Sequence, residues 1–339
     1  MTRNLTVLVT VVLGIALALA GSAQGELFGP SQNARYPVTI SKKIGYVGSS
    51  GKVVIGATYD EGDGFSEDLA RVRAGSMWGF IDREGKLVIQ PQFDEVGSFQ
   101  EGRAPVRVGG KWGYIDKTGM IVISPMYKEV APFSQGLGRV NADGLYGYLD
   151  ADGKRVIEPQ YEEAGDFHEG LAKIRIGDKI RGIFGFIDKT GSIKVPPQFE
   201  DAGWFSEGLC PVKMGGKWGY VDADAKFAIN PQFQDAAAFS EGLGRVKVDG
   251  SYGFVDKTGA MVIYPRFEKA GGFRENRAPV RLKGKWGYLD RQGKVVIGFL
   301  YRDAREFSEG LGRVEEADLM GGKWGWISRD GAYLWQPTK

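Results

Sequence analysis

Seven aspartates recur along the chain: Asp82, Asp116, Asp150, Asp188, Asp222, Asp256 and Asp290. Two carboxylates at a set separation are what glycoside hydrolysis needs, so the acids are the first candidates for chemistry. Their neighbours argue otherwise. Asp82-Arg83-Glu84-Gly85 is matched by Asp116-Lys117-Thr118-Gly119 and Asp256-Lys257-Thr258-Gly259. Aspartate first and glycine fourth suits a type I turn closed by a glycine at positive φ, with the side chain capping the local backbone. The acids are therefore assigned to hairpin turns, and the turn where Ala225 replaces the glycine is expected to be strained or differently shaped. Asp150-Ala151-Asp152-Gly153 begins like a calcium loop, but the later ligands do not follow.

The remaining reactive residue types are isolated. His168 is the only histidine and occupies a position that is Ser or Gln in most other copies of its phrase. With no second histidine and no nearby cysteine nucleophile, a surface substitution is preferred over a general base. Cys210, the only cysteine, stands where other copies have Ala or Gly and reads as small, packed and inert. It can form no internal disulfide. The expectation is a chain with no catalytic residues, no cofactor and no metal.

The elements that position these residues repeat. Aromatic-glycine pairs stand at Trp78, Trp112, Tyr146, Phe184, Trp218, Tyr252, Trp286 and Trp324, with a degenerate first copy at Ile44-Gly45. Successive steps are 34, 34, 34, 38, 34, 34, 34 and 38 residues. Two further ladders keep the step. One runs Tyr59, Phe93, Tyr127, Tyr161, Phe199, Phe233, Phe267, Tyr301; the other runs Phe65, Phe99, Phe133, Phe167, Phe205, Phe239, Phe273, Phe307. A fixed period of this size marks a repeat architecture, in which each unit is held up by its neighbours. Within a unit, Leu69 to Arg73 alternates, Trp78 to Ile81 follows a turn, and Lys86 to Ile89 is a third, β-branched run. Each unit thus predicts a three-stranded meander and a crossing loop of about a dozen residues. A glycine inside a strand implies a close neighbour, read here as a ring packed flat on the backbone. Trp112 is accordingly expected in the core.

The segments KWGYIDKTG (111–119), IVI (121–123), PQF (197–199, 231–233) and FSEGL (205–209) resemble the bacterial WG repeat family over about residues 38 to 337. The resemblance implies an all-β repeat, usually in envelope or secreted proteins, and carries no agreed catalytic residues. The expected fold is all-β: nine three-stranded meander units in an open superhelical solenoid, with a closed propeller-like ring as the alternative. The solenoid is favoured because both end units look whole, whereas rings commonly close by splitting a blade between the termini.

Overall charge nearly cancels, with 44 Lys+Arg against 42 Asp+Glu, which gives no basis for nucleic-acid binding. Locally the signs separate. Basic residues ladder through Arg71, Arg73, Arg107, Arg139, Lys173, Arg175, Lys213, Arg245, Lys247, Arg281 and Arg313. Acids ladder through Glu67, Glu101, Glu169, Glu207, Glu241, Glu275 and Glu309, preceded by Glu95, Glu129, Glu163, Asp201 and Asp235. Pairing across repeats is the preferred reading, and a basic stripe for an anionic envelope polymer is the alternative. Departures from the period point to binding. Four-residue insertions surround Lys179, Arg181, Asp318 and Leu319, and Trp204 fills a slot that is otherwise Gly, Ser, Pro, Asp, Ala or Glu. Insertions in repeats gather on one face, and in a solenoid with ~4 units per turn these two would share a side. Trp204, Lys179, Arg181, Asp318 and Leu319 form the candidate binding set.

Arg3, the apolar run Leu5 to Ala20 and Gly21-Ser22-Ala23 read as a signal peptide over residues 1–23, followed by a linker (24–37) and the repeat domain (38–337). The run is short for a ~20-residue membrane span, so no stable insertion is expected after cleavage. The functional expectation is a non-enzymatic, secreted, periplasmic or surface-attached module that binds a protein or an envelope polysaccharide. The alternatives are an exported hydrolase-like enzyme and a structural spacer or adhesin stalk. The sequence does not set the oligomeric state.

Overall fold

The computed structural model describes residues 33–177, 182–316 and 323–336, and these are all β. They form nine small antiparallel sheets, one per repeat. We number the sheets as blades: 1 (36–59), 2 (61–93), 3 (95–127), 4 (129–161), 5 (163–199), 6 (201–233), 7 (235–267), 8 (269–301) and 9 (303–335). Blade 1 has three strands and every other blade has four. The fourth strand lies in the segment read as a crossing loop. In blade 3 it is Glu95–Val96, which pairs with Ala104–Val108 through Glu95↔Arg107 and Val96↔Val106. Lys111–Ile115 and Ile121–Tyr127 complete the sheet. Two residues are enough to pair with an edge but too few to show a hydrophobic period, which is why the sequence reads as loop.

The hairpin turns are as expected. In blade 2 the Gly85 N–H donates to the Asp82 carbonyl at 3.0 Å with Gly85 at φ 85°, and Asp82 Oδ1 accepts from the Glu84 and Lys86 amides. Ala225 closes the same turn at φ 63°. The turn glycines of blades 2 to 5 and 7 to 9 face an isoleucine of the preceding blade: a Cβ on Gly119 would lie 3.2 Å from Ile89, and one on Gly259 would lie 3.2 Å from Ile229. Ala225 packs instead against the cluster that contains Val195, where blade 5 carries one methylene fewer than the isoleucine of other blades. The extra methyl on one side is met by a smaller residue on the other. Ala225→Gly combined with Val195→Ile should therefore raise stability by about 1 kcal/mol through relief of the left-handed alanine. Val195→Ile alone should lower it by ~1–3 kcal/mol through overpacking. Urea unfolding of the two single variants and the double variant checks the non-additivity, and additive effects would remove the coupling.

The glycine of each aromatic-glycine pair does meet a close neighbour, but it is backbone and not a ring. A Cβ on Gly147 would lie 2.5 Å from the Ile157 carbonyl oxygen and 2.6 Å from the Pro159 nitrogen, and Gly219 meets Ile229 and Pro231 in the same way. The register slips at each of these sites, so a bulge presses the adjacent strand onto the glycine. The paired aromatic is only half-buried, as at Trp112, except for Phe184, which is buried. The fully buried ring is two residues later: Phe80, Tyr114, Tyr148, Phe186, Tyr220, Phe254 and Tyr288. Each of these packs on the Phe ladder of the following blade, for example Tyr114 on Phe133 at 5.0 Å and 72°.

Between blades the FSEGL phrase supplies a second link. Glu101 (φ 53°) and Gly102 (φ 75°) form a two-residue turn, with Gln100 and Arg103 exchanging backbone hydrogen bonds across it. Both central residues are left-handed, the geometry of a type I′ hairpin, and glutamate is a poor fit there. Its carboxylate explains the choice. Glu101 accepts the Gln135 and Gly136 amides of blade 4, each at 2.7 Å. Glu169 accepts Glu207 and Gly208, Glu207 accepts Gly242, and Glu275 accepts Gly310. A charge-assisted bond worth ~1.5–3 kcal/mol offsets roughly 1–2 kcal/mol of backbone strain. At Glu67, burial works against the charge, yet the Gly102 amide and Lys117 hold its carboxyl below the ordinary range.

These links run from blade to blade, and blade 9 packs in turn on blade 1, so the chain is a closed nine-bladed propeller and not an open solenoid. Trp326 occupies the buried-ring slot of blade 9, where no further repeat follows. Tyr36 of blade 1 packs on it at 5.1 Å, its hydroxyl donates to the Glu309 carbonyl at 2.7 Å, and Trp326 Nε1 donates to the Pro37 carbonyl at 3.1 Å. Ala34, Tyr36, Val38 and Val47 share a core cluster with Leu311, Trp326, Leu334 and Trp335. Whole end blades do not prevent closure. A ring needs complementary faces at the seam, and these side chains provide them without an exchanged strand. The blades that the two insertions interrupt, 5 and 9, are four places apart in a ring of nine, about 160°, instead of on one side.

Candidate functional site

Trp204 departs most clearly from the period. It follows the short strand Asp201–Ala202 of blade 6, in a slot where most repeats have small or acidic residues. Its side chain is 55% exposed, and the His168 ring of blade 5 lies 5.8 Å away at 34°. His168 itself holds the first position of a two-residue turn. Serines in that position, such as Ser134 and Ser206, donate to the Phe carbonyl of the next blade. A histidine replaces that hydroxyl link with a ring beside the indole.

The two rings line a groove of about 550 Å³ with Arg139, Asp166, Lys173, Gly203 and Arg274. Arg139 belongs to blade 4 and Arg274 to blade 8, four blades apart in a ring of nine. Side chains so far apart around the ring meet only near its axis. Since His168 and Arg274 both begin two-residue turns, the groove opens at the mouth of the central channel on the turn side. Its size falls within the ~300–1,000 Å³ usual for ligand sites.

Each cation is held in place. Arg139 donates from Nε to Asp166 at 3.0 Å and stacks over Tyr146 at 5.2 Å. Lys173 donates to the Ala202 carbonyl at 2.9 Å and lies over Phe184 at 4.8 Å. Arg274 is exposed and pairs with Glu306 at 3.5 Å. The lining carries Arg139, Lys173 and Arg274 against Asp166, a cationic excess in a nearly neutral chain. A related groove of about 460 Å³ lies between blades 8 and 9, with Glu306 in the slot of Trp204. There the carboxylate accepts the Gly272 amide at 2.9 Å, so the slot is taken up by a contact between blades.

Of the sequence-derived candidates, Trp204 is in this groove. Lys179, Arg181, Asp318 and Leu319 lie outside the described residues. The strands flanking the first insertion, Leu171–Ile176 and Ile183–Asp188, meet it at the Ile176↔Ile183 pair, the end of the blade opposite the two-residue turn. The groove residues outside the candidate set are Arg139, Asp166, Lys173 and Arg274, of which Arg139 and Lys173 stand in the basic ladder. Three of them left a faint signal: Lys173 and Arg139 occupy a slot that is proline at Pro105, Pro211 and Pro279, and Arg274 replaces a serine.

The charge ladders do pair with each other, mostly within a blade instead of across repeats, as where Arg175 reaches Glu163 at 3.7 Å and Arg245 reaches Asp235 at 3.4 Å. Arg73 and Arg107 bridge to Glu61 and Glu95 of their own short strands, and Arg281 reaches Glu268 at 3.6 Å. The Glu67-type ladder caps backbone amides of the next blade, with added ion pairs such as Lys257–Glu207 at 3.2 Å. The turn acids stay in their turns, where the Thr190 hydroxyl and backbone amides hold Asp188 at about 2. Cys210 is fully buried, and burial pushes its thiol far up. Among the described residues no His, Cys, Asp and Glu group could hold a metal ion.

The model of the WG containing repeat matches eight times, at 44–76, 78–112, 112–146, 146–179, 184–218, 218–252, 252–286 and 286–319. The chain belongs to the WG repeat family. No curated protein matches this WG repeat chain. Among solved structures it is similar to KlHsv2 with one loop replaced by a Gly-Ser linker (8% identity, 69% of this chain and 98% of that one, TM-score 0.43). It is also similar to the extracellular domain of a hybrid two-component system from B. thetaiotaomicron (10% identity, 85% and 52%, TM-score 0.29). A third is PorZ, a surface component of the type-IX secretion system of Porphyromonas gingivalis (9% identity, 88% and 46%, TM-score 0.31). The WG repeat chain spans about half the length of the last two.

Proposed function

We propose that this WG repeat propeller is a non-enzymatic binding module that works outside the cytoplasm and holds a protein or an envelope polysaccharide in the axial groove at Trp204. The exposed indole carries the reading. Leaving a large apolar ring in water is unfavourable, and every other copy of that slot does without one. The lining supports binding over hydrolysis, because its one carboxylate, Asp166, is paired with Arg139 instead of facing a second acid. Export rests on the signal-like segment 1–23.

The test uses the native host and the mature chain. The protein should be recovered from the envelope or medium with its terminus near residue 24. Immobilised, it should retain envelope polysaccharide or a surface protein, with retention reduced at least about tenfold by Trp204→Ala. Recovery in the cytoplasm with residue 1 or 2 intact would overturn export. Retention indifferent to Trp204→Ala in a folded variant would overturn the site.

A further inference from the structure

Resting on the groove as the binding site, we propose that its ligand is an anionic sugar polymer, bound with a pyranose ring on Trp204 and its acidic group among Arg139, Lys173 and Arg274. The rings of Trp204 and His168 make a shallow angle at the channel mouth, not a deep apolar pocket. An open indole face suits the C–H face of a sugar ring, which is apolar on one side and hydroxylated at its rim. A protein anchor would need an enclosed slot for its side chain. The polar lining fits the same ligand, since Arg139 offers a planar fork of five N–H donors and Asp166 takes Nε.

The cations are placed before any ligand arrives. Asp166 and the Tyr146 ring hold Arg139, the Ala202 carbonyl holds Lys173, and Glu306 holds Arg274. Fixed positive groups lower the ordering cost of binding an anion. They come from blades 4, 5 and 8, with Trp204 on blade 6, so a ligand touching all of them must cross the channel mouth. A groove of about 550 Å³ has room for a short stretch of chain.

Isothermal titration of the mature chain against four probes tests this: a panel of uronate oligosaccharides, a sulfated oligosaccharide, neutral maltotriose and an oligothymidylate. We expect uronate or sulfated probes to bind, with the better of the two identifying the acidic group, and maltotriose to bind at least about tenfold more weakly. Trp204→Ala and Arg274→Ala, each with an unchanged thermal midpoint, should each weaken anionic-sugar binding about tenfold or more. Equal binding of maltotriose, or preference for the oligothymidylate, overturns the anionic-sugar assignment. No sugar binding, alongside a Trp204-dependent protein partner from the retention experiment, overturns the assignment and leaves the binding-module reading intact. Loss of both overturns the two together.

Discussion

Replacing Phe133 with alanine should cost ~3–5 kcal/mol, and the loss should spread over two blades. Phe133 is fully buried in blade 4 and packs edge-on against Tyr114 of blade 3. Its ring also covers Gly138, where an added Cβ would lie 2.8 Å from the ring edge, so the site has no slack on that side and leaves a cavity when emptied. Tyr114 donates its hydroxyl to the Ala131 carbonyl at 2.6 Å, in the segment that leads into Phe133. One side chain thus ties the packing and the hydrogen bonding of two blades together. Hydrogen exchange should show amides of both 104–115 and 138–149 losing protection while blades 7 and 8 keep theirs. Trp112→Ala, at a half-buried ring, should cost less than Phe133→Ala. Equal effects of Phe133→Ala and the exposed Lys154→Ala would show that the inter-blade ring pair is not a core contact.

The contrast between Phe133 and Trp112 shows what the sequence revealed and what it concealed. The period, the Asp-to-Gly turns and the dependence of each unit on its neighbours were all legible, because they depend on residue types at fixed spacing. The buried ring immediately after each WG glycine keeps the same step, from Tyr46 to Tyr288, and was visible on the same terms. The conspicuous Trp-Gly pair drew attention away from it. The left-handed glutamates were concealed for a physical reason: their residue type argues against positive φ, and the compensating amides of Gly102, Gly136 and Gly208 lie about one repeat further on. The WG glycine was read correctly as a close approach but to the wrong neighbour, since a bulge leaves no mark in composition.

Blade count and closure are not local properties. Each unit specifies its contacts with the next, and the small rotation at each contact decides whether nine of them make a ring or a superhelix. That rotation is set at the inner edge by the Glu-to-amide links and the ring pairs, neither of which a single repeat displays. The groove has the same origin. Trp204 stood out in the sequence as a departure, but Arg139, Asp166, Lys173 and Arg274 come from other blades and meet it only once the ring has closed.

Closure should therefore be open to direct attack at the seam. Tyr36→Ala with Trp326→Ala removes both rings of the 5.1 Å contact, the Tyr36 bond to Glu309 and the Trp326 bond to Pro37. Truncating one large buried aromatic costs ~3–5 kcal/mol, so the pair should cost at least about 5 kcal/mol even if the two losses overlap. The consequence differs from an equal loss inside the ring. Between blades 3 and 4 the chain itself bridges the gap, whereas among the described residues blades 9 and 1 are joined by non-covalent contacts. Opening there frees the ring to relax outwards, and blades 1 and 9 become end units with one neighbour each. Small-angle scattering of the double variant should show a larger radius of gyration, and thermal unfolding should turn from one sharp transition into a broad one that begins at the ends. Phe133→Ala, at similar energetic cost, should leave the radius unchanged below its midpoint. Binding in the groove should suffer more in the seam variant, because Arg139, Trp204 and Arg274 keep their spacing only while the ring is shut. An unchanged radius with a full loss of stability would mean that the faces of blades 1 and 9 hold the ring closed without these two rings.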